Sequence, residues 1–252
     1  TEKIMDCGIL IQVRSDSSRF PNKSFEIIQN NPMLWHVIER CKWMKLPIIV
    51  ATSSDKNDDD IEKIAKTCNV ECFRGSKNDV LDRFYNAAKK YSLKYIFRIT
   101  GDCPLIDPKQ SIKVLEEIKS NNFDYVKLDD NSYPDGLDTE IFTFNALEKA
   151  WNNAKLKSER EHVTPFMYDP QNNFKIKKIP YEKNYSNLRW TVDYEDDLEF
   201  VKKIYSVLYY KQIFFMEDIL KLLEKMPELK KINSSHSRNE GYAKSLKENK
   251  LI

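Results

Sequence analysis

The chain has 252 residues with 41 Lys and Arg against 39 Asp and Glu, so its net charge of +2 supplies no basic face of the kind that holds nucleic acid. Its mean hydropathy is −0.62, and no apolar stretch approaches the ~18 residues of a membrane span, which points to a protein free of the membrane. The five cysteines form no C-x-x-C pair and suit a reducing cytoplasm better than a disulfide framework or a zinc site, and Thr1 to Val13 lacks the basic and apolar regions of a secretory leader. Only five glycines occur, about 2 % of the chain against the usual ~7 %, and neither a Walker loop nor a G-x-G-x-x-G fingerprint is present. Nine of the cations are Arg and the rest Lys, so each Arg or Gly that remains is read as marking a geometric need.

In chain order, Gly8 to Val13 reads as a buried strand that runs into a polar loop, Arg14 to Lys23, holding three cations and three serines. Pro32 to Lys45 follows as a helix with Leu34, Val37, Ile38 and Cys41 on one face. Ile48 to Thr52 is a second strand, Asp58 to Thr67 a helix with an acidic start, and Val70 to Phe73 a third strand ending at Arg74 and Gly75. Asp79 caps a helix to Tyr91, Tyr95 to Ile99 is a buried strand leading into Thr100-Gly101-Asp102-Cys103-Pro104, and Pro108 to Ser120 returns as a helix.

That alternation predicts a mainly parallel α/β sheet flanked by helices, with its ligand at the carboxyl ends of the strands. From Phe123 to Phe144 two β-rich pieces surround Tyr133-Pro134-Asp135-Gly136, an antiparallel addition or flap reaching to about residue 192. Phe174 to Ile179 and Leu188 to Val192 are further strands, Asp197 to Leu208 and Met216 to Leu223 closing helices. The expected division is one domain over 1–229 and a peripheral segment over 230–252.

Three constellations carry chemistry. Arg14, Arg19 and Lys23, with Ser15 and Gln12 beside them, can surround a triphosphate with side-chain charge in place of glycine amides, or form a solvated basic loop. Asp102 directly follows the central strand, where one carboxylate with substrate phosphates suffices for Mg²⁺, unless it only caps a turn. Asp193 ends the Leu188 to Val192 run and offers a second metal carboxylate, whereas Asp196 and Asp197 read as helix-cap charges. His36 and Cys103 read as packing residues.

These residues resemble a family. ILIQVRSDSSRFPNK, IIVATS, FRGSKNDVLDRF, RITGDCPLIDP, YPDGLDTE, EREHVTPF and LRWTVDYEDDLEF follow the order of SpsF-like spore coat polysaccharide biosynthesis proteins, within the acylneuraminate and 3-deoxy-manno-octulosonate cytidylyltransferase superfamily. The resemblance implies a GT-A-like (Rossmann-like) nucleotidyltransferase in which a sugar acid, sugar phosphate or phosphonate attacks the α-phosphate of CTP, for surface polysaccharide or glycoconjugate synthesis. It puts Arg14, Arg19 and Lys23 on the triphosphate, Asp102 and Asp193 on the metal, Arg74 and Thr100 near the nucleotide, and it implies a homodimer. Asp79, Asp82 and Arg83 match the motif without an assigned role. Ser-Asp-Ser-Ser and Asn22 stand where the family uses glycine-bearing residues, a substitution expected to stiffen the loop.

For the acceptor, Arg98, Arg160, His162 and Arg189 lie in segments bordering the crevice, more positive charge than Mg²⁺-bound triphosphate requires, so a small anionic acceptor is expected. Tyr133, Asp135, Asp138 and Glu140 of the flap are expected to shape that pocket. The rival readings are a GT-A glycosyltransferase and a non-catalytic nucleotide-sugar binder. The first needs a D-x-D pair where this chain has Asp102-Cys103-Pro104, and the Asp58/Asp60 pair opens a helix and reads as dipole complementation. The second gives no reason for both Asp102 and Asp193.

Overall fold

The computed structural model describes residues 5–251, so the outer bounds of the expected division, Thr1 and Ile252, lie outside it. Strand β1 (Met5–Gln12) is an interior strand, third in the order of a seven-stranded sheet. A hairpin of β2 (Ile27–Ile28) and β3 (Asn31–Pro32) follows, a small separate antiparallel sheet the sequence reading lacks. Its turn residues Gln29 and Asn30 both have positive φ (46° and 70°), the geometry of a two-residue hairpin turn. Then come α1 (Met33–Lys42), β4 (Ile48–Ser53), α2 (Asp59–Thr67), β5 (Glu71–Gly75), α3 (Val80–Lys90), β6 (Leu93–Thr100) and α4 (Pro108–Asn121), close to the expected spans.

The strands run in the order β5-β4-β1-β6 in parallel, continued by β8 (Glu140–Thr143), β7 (Tyr125–Leu128) and β9 (Ile176–Ile179). Only β8 is antiparallel to its neighbours. Of the two forms expected over about 123–192, an antiparallel addition or a flap, the structure has the addition: these strands extend the main sheet, with β8 antiparallel in it. Tyr125, Val126, Leu128, Ile141 and Phe142 are all buried, so β7 and β8 are apolar on both faces and need cover on both. Leu188 to Val192 is no strand either, since only Arg189 bridges, to Asp135.

Alternation along β1 divides the core. Ile9 and Ile11 join the cluster with Val37 of α1, Ile61 of α2 and Val114 of α4, while Leu10 joins Phe84 of α3 on the other face. Helices α5 (Phe144–Asn153) and α7 (Pro165–Tyr168) complete that second face, with α6 (Lys157–His162) packed on α3, and α8 (Glu195–Leu208) and α9 (Met216–Lys225) the first. Among the described residues no helix is long and apolar enough to cross a membrane.

The segment from 230 onward is not peripheral. Asn233 is buried and donates to the Arg189 carbonyl (3.0 Å) and to Asp197 (2.8 Å), and α10 (Glu240–Lys247) packs against α6 across the strand ends. Polar composition made this segment look detached, whereas Asn233, Arg238 and Ser245 within it bond to the body of the fold.

Candidate active site

β1 and β6 pair in register to their last residues, Gln12 opposite Thr100, so the two loops leaving them start side by side. Gly101 is required there: a Cβ at that position would lie 2.8 Å from Val13 Cβ, and its N–H donates to the Gln12 carbonyl at 2.8 Å. The next residue is Asp102. Its carbonyl accepts the Val192 N–H (2.8 Å), which draws the 191–193 segment against the end of β6 and brings Asp193 to the same point.

The loop after β1 folds back over this point. Ser15 gives both its N–H (2.8 Å) and its hydroxyl (2.7 Å) to Asp58, and the Asn22 N–H returns to the Ser15 carbonyl. Ser15 is thus a buried anchor, not a phosphate ligand, and Asp58, expected to complement a helix dipole, is its buried partner, held by Ser53 as well. Burial works against the charge of Asp58, yet hydrogen bonds from Ser53 and Ser15 outweigh it and keep its pKa below the usual carboxylate range. Asn22 has φ 60°, so an asparagine takes the left-handed conformation that the family fills with glycine, and the loop turns without one.

The result is that two loop cations meet two carboxylates. Lys23 Nζ lies 2.9 Å from Asp193 Oδ1, 3.3 Å from Asp102 Oδ2 and 2.7 Å from the Val192 carbonyl oxygen, while Arg19 reaches the same Asp193 oxygen at 2.8 Å. Burial opposes the charges of Lys23 and Asp102, but each partner overrides it: Lys23 is raised and Asp102 lowered from their ordinary values. The Asp193 side chain is only 12 % exposed against 28 % for Asp102, so it is more enclosed than a solvated crevice would leave it. Arg14 leans away, donating to the Lys77 carbonyl at 2.9 Å.

Behind Asp193 stands an ion-pair cluster. Arg189 bonds Asp197 (2.8 Å), Asp135 (3.2 Å) and Asp193 (3.3 Å), and Asp197 also accepts the N–H groups of Asp193 and Tyr194, fixing the start of α8. Arg238 pairs with Asp138 at 2.7 Å, and Arg19 touches Glu240 at 3.5 Å. Arg19, Lys23, Arg189 and Arg238 therefore face Asp102, Asp135, Asp138, Asp193, Asp197 and Glu240, and negative charge is in excess. Burial, then the neighbouring Asp138, pushes Asp135 up to about 7. Hard carboxylate oxygens are the donors Mg²⁺ prefers, and two carboxylates leave its other positions to substrate oxygens and water. The donor set at Asp102 and Asp193 thus fits a divalent ion.

Two chambers open from this point. One, of about 630 Å³, is lined by Gln12, Arg14, Arg19, Lys23, Thr100 and Asp102, a volume within the range of small-molecule and cofactor sites. The other, of about 490 Å³, shares Arg19, Asp102 and Asp193 and runs on to Arg98, Asp135, Asp138, Glu140 and His162. Glu240 and Gly241 of α10 border both, residues a polar C-terminal segment gave no reason to choose. A larger open groove of about 710 Å³ runs past Ile27, Leu198 and Lys202 and holds none of these groups.

Several expected site residues are elsewhere. Arg74 is clamped to Asp59 (2.9 Å) and Glu62 (2.7 Å) of α2, away from either chamber. Arg160 is a fork onto Asp79 (2.6 Å) and the Trp151 carbonyl, joining α6 to α3. Tyr133 is buried in the core with its hydroxyl on Gln110. Arg189 is consumed by three carboxylates and Arg98 by Glu140 (2.6 Å), not by Asp107, which instead caps α4 and takes the Met216 N–H. Burial first, then Arg98, depresses His162 to about 4, so it is neutral near pH 7. The positive surplus inferred for an anionic acceptor is consequently absent: each guanidinium has an internal partner.

A family model described as cytidylyltransferase matches residues 8–245. The chain belongs to the cytidylyltransferase family. It is a CTP-dependent nucleotidyltransferase by that membership, and the SpsF-like resemblance stands. A cytidylyltransferase structure from Leptospira borgpetersenii superposes with a TM-score of 0.85 at 33 % identity, covering 92 % of this chain and 98 % of that one. An uncharacterized protein of Methanocaldococcus jannaschii is 40 % identical over 230 residues, 90 % of this chain and 93 % of its own. The spore coat polysaccharide biosynthesis protein SpsF of Bacillus subtilis is 25 % identical over 232 residues, 88 % of this chain and 96 % of its own.

Proposed function

We propose that this cytidylyltransferase moves CMP from CTP to a small anionic sugar acid, sugar phosphate or phosphonate, releasing pyrophosphate, as a step in surface polysaccharide or glycoconjugate synthesis. The observation that carries the reading is the meeting of Arg19 and Lys23 with Asp102 and Asp193 where the two chambers join. CTP lies in the larger chamber with its phosphates toward Arg14, Arg19 and Lys23. The acceptor lies in the other, and the resemblance to sugar-acid cytidylyltransferases, not a free cation in that chamber, is what supports its being an anion.

Nucleotidyl transfer needs reactants aligned and developing charge neutralised, and it needs no covalent nucleophile. That agrees with Cys103, whose thiol burial drives well above its ordinary pKa, and with a neutral His162. Mg²⁺ held by Asp102 and Asp193 would supply charge neutralisation at the transferring phosphate. The protein's own part is to fix Asp193 from behind, through Arg189 and Asp197, to hold Asp102 against the 191–193 segment through its carbonyl, and to border both chambers with α10. Five free thiols support action in the reducing cytoplasm, and the family resemblance supports a homodimer.

The test is incubation with Mg²⁺, each of the four nucleoside triphosphates and a panel of sugar acids, sugar phosphates, phosphonates and neutral sugars, following pyrophosphate. Release with CTP and one anionic acceptor is expected. Equal turnover of ATP and CTP refutes the donor assignment, and transfer to a neutral sugar refutes the acceptor class.

A further inference from the structure

We infer that Lys23 is the internal substitute for the metal ion in the nucleotide-free protein, and that its departure from Asp102 and Asp193 couples metal binding to capture of the triphosphate. The inference rests on the assignment of those two carboxylates as metal ligands. An ammonium group has three donors and no acceptor. All three of Lys23 are spent, on Asp193 Oδ1 at 2.9 Å, on Asp102 Oδ2 at 3.3 Å and on the Val192 carbonyl at 2.7 Å. In this arrangement it has nothing left to give a phosphate.

The Asp193 carboxylate is fully committed as well. Asp193 Oδ1 accepts from Lys23 and Arg19 together, and its other oxygen faces Arg189 at 3.3 Å. A cation bound to either carboxylate would sit against the Lys23 ammonium, and like charges at that spacing in a partly buried site repel strongly. Pairing with Lys23 and ligation of a metal are thus mutually exclusive. The same holds for Lys23 between carboxylates and phosphate. Since both ligands require one released state, each raises the affinity for the other.

The position of Lys23 in the chain permits the exchange. It follows the left-handed Asn22 at the end of a loop anchored at Ser15, so the side chain alone can swing from the carboxylates toward the larger chamber, which it already lines. The arrangement keeps two neighbouring carboxylates neutralised when no nucleotide is present, and makes the site a poor trap for free metal ions.

Mn²⁺ binding to the nucleotide-free protein, read from the free-ion resonance signal, tests this without any turnover. The Lys23→Met protein is expected to bind Mn²⁺ at least ~10-fold more tightly than the wild type, and Lys23→Arg, which keeps the charge, to stay weak. Asp102→Asn should abolish binding in the Lys23→Met background. Equal Mn²⁺ affinity of wild type and Lys23→Met, with both sensitive to Asp102→Asn, overturns the inference and leaves the metal assignment intact. Mn²⁺ binding insensitive to Asp102→Asn with and without CTP overturns the metal assignment and the inference with it. If Lys23→Met is unstable without metal, Mg²⁺ should raise its melting temperature more than that of the wild type, and no rise overturns the proposal. In the wild type, acylation of the Lys23 amine, followed by mass spectrometry, should increase on adding Mg²⁺ alone, and unchanged labelling is equally a refutation.

Discussion

Replacing Asp58 by Ala should loosen the phosphate-side loop without touching a residue that lines either chamber. Asp58 is 2 % exposed and accepts four hydrogen bonds, two from Ser15 after β1 and two from Ser53 at the end of β4. The serine hydroxyls can turn to other partners, but the two backbone N–H groups cannot. Leaving each buried and unpaired costs about 1 to 3 kcal/mol, so the variant should lose about 2 to 6 kcal/mol in denaturant unfolding. Because Ser15 fixes the approach of Arg19 and Lys23, CTP affinity should fall at least ~10-fold as well. Leu223→Ala in α9, a core truncation of similar cost, serves as the control and should leave CTP affinity unchanged.

The pH dependence gives a second reading of the same residue. The folded pKa of Asp58 lies below its unfolded value, so its contribution is fully present above that unfolded value, near ~4, and is lost as pH falls through the folded pKa. The stability gap between wild type and Asp58→Asn should therefore narrow only in acid. An Asn amide placed here opposes two donors whichever way it turns, so the gap at neutral pH should be real but smaller than for Ala. CTP titrations in which Asp58→Ala binds like wild type would refute the anchoring role.

Asp102→Ala and Asp193→Asn should each lose most of the pyrophosphate release in the presence of Mg²⁺, and native turnover in either sinks the metal role of that residue. Arg19→Ala should weaken triphosphate binding by about 1.5 to 3 kcal/mol, the worth of a charge-assisted contact, measured by calorimetry with CTP and with pyrophosphate as competitor. Gly136→Ala should lower the melting temperature sharply, because the residue has φ +105° and a Cβ there would meet Thr191 N at 2.5 Å; a change within a degree or two would show that the 190–191 backbone can move aside.

The sequence by itself determined the parallel half of the sheet and the cation-bearing loop beside it. Buried runs such as Ile48 to Thr52 and Tyr95 to Ile99, spaced by amphipathic helices, admit one architecture, and the chain's polar turns must then fall at the strand ends. Asp102 was legible for that reason. α5 was also open to reading, since Thr143 caps it and Ala146, Leu147 and Ala150 share a buried face. Which charges remain for a ligand was decided only by tertiary structure. Arg74, Arg160 and Arg189 look alike in the sequence, yet each is neutralised by a carboxylate brought from another segment or another turn of chain. Asp58 and α10 became part of the site's framework for the same reason: a charge takes its role from whatever lies within a few ångströms of it, and that is set by long-range packing which local pattern does not encode.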